Sequence, residues 1–230
     1  MLTHKRLPFI LLIMLLLLAA CQGAPVAETP TQPPAPTDPP EPTVAPAPAP
    51  VVLSAEELAG VTLTLDDLPA GFTVNEFNTG PITREKFVED QLDNYLEYFD
   101  QAGEWTSYQA SFERSGEDDM AFVTSWVVAF DSEEQAADFV EHYIDNFFSA
   151  IYYQPISFPQ LGDQLLAYKA TQDADRFTFD IYHVAFREKN VASTLQYTEM
   201  AGVLTDEQVA DVARLLAERL HEALSQASGE

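Results

Sequence analysis

Cysteine is almost missing from these 230 residues: Cys21 stands alone, which excludes an intramolecular disulfide and a thiolate metal cluster. Basic side chains are scarce too. Lys and Arg number 11 against 37 Asp and Glu, for a net charge of −26, and no basic stripe relieves it. Phosphate contacts need cations to displace counterions, so no nucleic-acid partner is expected. The nine glycines are never clustered and no serine lies in a G-x-S-x-G turn. Walker and Rossmann loops and the nucleophile elbow are thereby excluded. The histidines lack ligand spacing, and the acidic turns Glu117-Asp118-Asp119 and Asp173-Ala174-Asp175 lack the EF-hand pattern. No metal and no cofactor is expected.

What is present starts with an address. His4, Lys5 and Arg6 precede twelve uninterrupted apolar residues, Phe9 to Ala20. A basic start and a short apolar run ending in small side chains form a secretory signal over residues 1–20. The run is well short of the roughly 20 residues that span a bilayer. Residues 21–50 hold Cys21 and then 11 of the chain's 16 prolines, with no aromatic residue. Such a stretch builds no core and prefers an extended polyproline path, so it reads as a tether. Residues 51–230 have globular composition and make one acidic domain.

Capping signals and periodicity divide that domain. Ser54 with Glu57 caps a helix near 54–59. Strands are predicted at 61–65 and 72–77, and apolar spacing predicts a helix over 84–102. A hairpin is predicted from Trp105–Arg114 and Met120–Phe130, followed by a helix capped by Ser132 and Gln135. Strands at Gln164–Ala170, Phe177–Arg187 and Val191–Met200 read as a meander, and Thr205 with Gln208 opens the last helix. Short strand connections permit antiparallel pairing, so the expected class is α+β, an antiparallel sheet with helices packed on one face. Each half ends in strands and then a capped helix, which leaves room for a weak internal duplication.

Leu18-Ala19-Ala20-Cys21 resembles the lipobox of bacterial lipoproteins. That resemblance implies cleavage between Ala20 and Cys21, a diacylglyceryl thioether on Cys21, and often acylation of the new amino group. The partner so implied is the cell membrane, with the domain on its extracytoplasmic side. Two or more chains anchor stably where one does so only marginally. The bland alternative is that Cys21 merely ends an ordinary cleaved leader.

Within the domain, the Asp67-Leu68-Pro69-Ala70-Gly71-Phe72 turn, Val184-Ala185-Phe186-Arg187 before Asn190-Val191, and Leu215-Leu216-Ala217-Glu218-Arg219-Leu220 resemble small actinobacterial extracytoplasmic sensor domains and lipoproteins. The resemblance implies a module that senses or binds a small molecule or an envelope protein, and not catalysis. The candidate binding residues are Trp105, Tyr152, Tyr153, Phe158 and His183. The stretch carrying Tyr152, Tyr153 and Phe158 leaves a helix and holds two prolines, so its rings could line a groove, though closing the end of the core is the commoner outcome. Strand alternation places His183 on an apolar face, where a hydrogen-bonded core histidine is the common outcome and a site the rarer one. An envelope hydrolase with an unrecognised site and an accessory subunit of an envelope complex are the alternatives.

Overall fold

The computed structural model describes residues 50–116, 119–148, 152–174 and 176–229, with 146 and 147 described by backbone alone. The signal segment, the tether, Ala20 and Cys21 lie outside the described residues. The chain divides after Pro46, and the described residues belong to its second unit, Ala47–Glu230.

Helix α1, Ala55–Val61, starts where expected: Ser54 and Glu57 form a reciprocal capping box. The strand predicted at 61–65 does not form. Its backbone groups are taken by side chains instead of a neighbouring strand. The Thr62 carbonyl accepts from Arg219, and the Leu63 N–H donates to Ser125 Oγ at 3.0 Å. Of the strand predicted at 72–77 only β1, Thr73–Val74, pairs, because the Asn75 side chain caps a single tight turn over Glu76–Asn78. Strand β2 is Gly80–Pro81.

The helix predicted over 84–102 is two helices, α2 Arg84–Glu89 and α3 Asp93–Gln101. Gln91, at φ 56°, ends α2 in a left-handed residue. The Gln91 N–H donates to the Val88 carbonyl and the Leu92 N–H to the Phe87 carbonyl, a complete Schellman motif. The apolar spacing continues through this corner, so periodicity alone reads it as one helix.

Strands β3 (Trp105–Ser115) and β4 (Met120–Phe130) form the expected hairpin, and α4 (Glu133–Phe147) follows from Ser132, whose hydroxyl accepts from Gln135 N–H. A short strand β5, Gln154–Pro155, comes next. Strands β6 (Gln164–Ala174), β7 (Phe177–Glu188) and β8 (Val191–Met200) are the expected meander, with β6 running four residues further than predicted. Helix α5, Asp206–Ser228, opens on a Thr205–Gln208 capping box.

All pairings are antiparallel, in the order β1-β3-β4-β8-β7-β6-β5, with β2 also on β3. The class is α+β. The helices, expected on one face, cover both. Strand alternation sends Val123, Val127 and Ala129 of β4 toward α1 and α5, where Leu58, Val61, Leu216 and Leu220 complete one core cluster. It sends Trp126, Val128 and Phe130 toward α2, α3 and α4, where Phe87, Phe99 and Phe139 complete another. A two-residue link carries the chain from β4 to α4 and a five-residue link carries it from β8 to α5, on opposite sides. A twofold relating β3-β4-α4 to β7-β8-α5 would run through the sheet and keep both helices on one side, so the weak duplication has no symmetric counterpart here.

Candidate functional site

Both faces of the central strands being covered, their side chains should read as near-continuous apolar runs. On the face toward α2–α4 they do not. A row of polar residues crosses it, strand to strand: Ser111 on β3 faces Thr124 on β4, Thr124 faces Gln196 on β8, and Gln196 faces His183 on β7. Directly opposed residues on one face stand about 5 Å apart at Cβ, so the row is contiguous. The adjacent row is Gln109, Trp126 and Thr194.

Above these two rows the corner of α2 and α3 leaves a cleft of about 130 Å³. Its floor is Gln109, Thr124, Trp126, Thr194 and Gln196; its roof carries Phe87, Leu92 and Tyr95; Tyr143 and Phe148, from the end of α4, form the back. At the rim Lys86 and Asp90 are joined by an ion pair of 2.7 Å, and the Lys86 ammonium lies 4.2 Å from the centre of the Phe77 ring.

Several of the floor's polar groups keep bonding capacity. Gln109 Nε2 donates to the Asn78 carbonyl at 2.9 Å, which leaves Gln109 Oε1 free among the described residues. Thr124 and Ser111 share a hydroxyl bond of 3.1 Å. The side-chain amides of Gln196 and Asn78 have no hydrogen bond among the described residues, and both are half-buried. Burial pushes the Tyr95 phenol up to about 12, and raises the Tyr143 phenol as well, so both rings are neutral walls.

His183 stands behind this wall. It is 1 % exposed, and its ring centre lies 4.0 Å from that of Phe148, 4.9 Å from that of Tyr153 and 5.9 Å from that of Tyr143. Its Nε2 meets the Tyr153 hydroxyl at 3.2 Å, while Nδ1 has no hydrogen-bond partner among the described residues. Burial lowers the imidazole to about 3, so it is neutral. His183 and Tyr153 therefore buttress two rings that line the cleft.

The other expected residues go elsewhere. Trp105 stacks on Phe87 and Phe99, behind the roof, at 5.7 and 4.5 Å. Phe158 packs against the cluster on the opposite face of the sheet. Tyr152 is 59 % exposed. Of the five, then, the structure brings only His183 and Tyr153 together. Asn78, Gln109, Thr124, Thr194 and Gln196 escape the sequence reading. For Thr194 and Gln196 the available signal is polarity at the alternate positions 194, 196 and 198 of a strand that a long apolar neighbour implies is buried.

Two other features lie apart from the cleft. A wider, more open depression of about 610 Å³ runs along Pro50–Leu53, Pro81–Arg84, Gly103–Ser107 and Ala129–Asp131; of its polar side chains without a hydrogen bond among the described residues, Glu104 and Asp131 are exposed and Thr106 is half-buried. On the α5 face, Asp180 and Glu199 stand opposite each other on β7 and β8. Arg114 Nη2 binds Glu199 at 2.7 Å and Lys169 Nζ binds Asp180 at 3.2 Å. Burial pushes the Asp180 carboxyl up, but hydrogen bonds from Thr171, the Gly202 N–H and Lys169 outweigh it and hold the group below its usual range. Both carboxyls are thus committed to cations.

No protein-family model matches the chain, and no curated protein matches it in sequence. Similar solved structures include the extracellular domain of PknH from Mycobacterium tuberculosis, at 12 % identity and a TM-score of 0.48, covering 74 % of this chain and 97 % of that one. Another is the Rv0999 ortholog of Mycobacterium smegmatis, at 12 % identity and a TM-score of 0.36, covering 70 % and 96 %. Likeness at this level assigns no ligand. Among the described residues, no helix is long and apolar enough to cross a membrane.

Proposed function

We propose that the chain is a lipid-anchored extracytoplasmic module that binds a small uncharged molecule in the cleft between the α2–α3 corner and strands β3, β4 and β8. The observation that carries this reading is the lining: amides and hydroxyls of Gln109, Thr124, Thr194 and Gln196 on the sheet, with the Asn78 amide from the turn beside it, gathered under aromatic walls. Gln196 and Asn78 leave their amides open and Gln109 its carbonyl oxygen, and half-buried polar groups with open bonding capacity that converge on one cleft under aromatic rings are what a ligand site presents. The module is read as non-catalytic. His183, the group nearest to a general base, is surrounded by rings instead of acids, and the facing acids Asp180 and Glu199 are held by cations on the far side of the sheet. An accessory subunit would need a broad apolar patch, whereas the large exposed apolar side chains among the described residues, Val52, Leu65, Phe77, Val88, Phe122, Tyr152 and Val203, come from separate elements.

Anchoring at Cys21 supports the reading from the other end of the chain: the sole thiol lies where a short apolar leader ends. Two or more acyl chains would hold it stably, and the acidic surface would stay clear of anionic lipid. Mass spectrometry of membrane-extracted protein should show the diacylglyceryl adduct on Cys21, and Cys21→Ala should abolish membrane retention; a bare thiol would remove this part of the proposal.

The cleft is tested by a thermal-shift screen of small neutral compounds against the full chain and Gln196→Phe, whose ring fills the floor. Binding compounds should raise the melting temperature of the parent and not of the variant. Equal shifts in both, or none in the parent, would place the function elsewhere.

A further inference from the structure

We infer that the ligand is a neutral, hydroxyl-rich six-membered ring, a single saccharide unit or a cyclic polyol. The inference rests on the cleft being the binding site and narrows what it takes. Charge comes first. Of the residues around the cleft only Lys86 and Asp90 are ionised, and they neutralise each other at 2.7 Å. An anionic ligand would have to part Lys86 from Asp90 in a molecule of net charge −26, and a cationic one would have to displace Lys86.

Hydrogen-bond chemistry narrows it further. The groups with open capacity are side-chain amides, Gln196, Asn78 and the Gln109 carbonyl oxygen, with the Thr124 hydroxyl beside them. A primary amide presents a donor and an acceptor side by side, which matches two neighbouring hydroxyls of a ring, each of which both gives and accepts. An apolar ring would strand these amides without water, a loss of about tenfold in affinity or more for each. Shape agrees. Five of the fourteen surrounding residues are aromatic, and of these the half-buried Tyr95 and Phe148 give rings on which the C–H face of a saccharide can pack while its edge meets the amides. About 130 Å³ is less than the roughly 150 Å³ that takes one benzene, and a hexose has about twice benzene's heavy atoms, so one edge of the ring enters and the rest, with any second unit, extends past the rim.

The test is saturation-transfer NMR on the full chain in detergent, with four kinds of probe of equal ring size: neutral sugars (a hexose and its N-acetylamino form), a uronic acid, an amino sugar, and cyclohexanol. The neutral sugars should bind, the charged ones about tenfold more weakly or not at all, and the variants Gln196→Leu and Asn78→Ala should weaken sugar binding about tenfold or more while their melting temperatures stay near the parent's. Preference for cyclohexanol, or for a charged sugar, overturns the saccharide inference and leaves the cleft as the site. Sugar binding that Gln196→Leu, Asn78→Ala and the plugged Gln196→Phe all leave intact overturns both, since the sugar then sits elsewhere. Binding by none of the probes overturns the saccharide inference alone.

Discussion

The side-chain amide of Asn190 holds Val51 by both of its backbone groups. Val51 N–H donates to Asn190 Oδ1 at 3.0 Å, and Asn190 Nδ2 donates to the Val51 carbonyl at 2.9 Å and the Phe130 carbonyl at 2.6 Å. Asn190 is 1 % exposed and sits in the β7–β8 turn. It pins the start of the domain, directly after the proline-rich segment, to the hairpin at the sheet's centre. Asn190→Ala orphans two carbonyls and an N–H at a buried site, and should cost about 2–4 kcal/mol in urea unfolding. A loss below about 1 kcal/mol would mean water replaces the clamp.

The neutral His183 makes stability depend on pH. Its folded value, about 3, lies below the unfolded value near 6.5, so between these the unfolded chain binds a proton that the folded chain does not. Stability is therefore full above about pH 6.5 and falls as pH drops. By about pH 4.5 the loss should reach about 2–3 kcal/mol, before the Asp67 and Asp180 carboxyls, both held below their usual range, begin to titrate. His183→Phe should flatten the unfolding profile over that window; an unchanged slope would assign it to other groups.

At the corner roofing the cleft, Gln91 occupies a left-handed conformation that costs a side chain roughly 1–2 kcal/mol. Gln91→Gly should raise stability by about 1 kcal/mol, measured by thermal melting, with the Schellman bonds kept. Destabilisation would show that the Gln91 side chain does more than close the helix.

Gly162 has φ 57° and lies against β7, where an added Cβ would collide with the Arg187 carbonyl oxygen. Neighbouring bonds hold this approach: Asp163 N–H donates to that same carbonyl at 2.8 Å, and Lys189 N–H to Asp163 Oδ2 at 2.8 Å. Gly162→Ala should destabilise by about 3 kcal/mol or leave the chain unfolded, as read by circular dichroism.

Most of the sheet is legible in the sequence because its long strands are bounded by turn residues and its helices by capping pairs, Ser54 with Glu57 and Thr205 with Gln208. What escapes is set by contacts distant in the chain. Arg219, on α5, decides that Thr62 lies outside the sheet, by bonding its carbonyl and forking onto Asp67 at 2.8 Å. Which face a helix covers depends on the direction of the link before it, and no periodicity records that. The cleft is hidden for a related reason: Gln109, Thr124 and Gln196 come from three strands and become neighbours only through their register. His183, a lone histidine on an apolar strand face, is conspicuous in the sequence but lies one ring behind the cleft.

The most direct test of the cleft is amide NMR of the full chain, following the side-chain NH₂ signals of Asn78, Gln109 and Gln196 as neutral hexose is added. The account requires these three pairs to shift together and saturably, while that of Gln160, on the other side of the domain's core, stays fixed. Saturable shifts that leave these three unmoved, or that gather around Trp105 and the wider depression beside it, would contradict it.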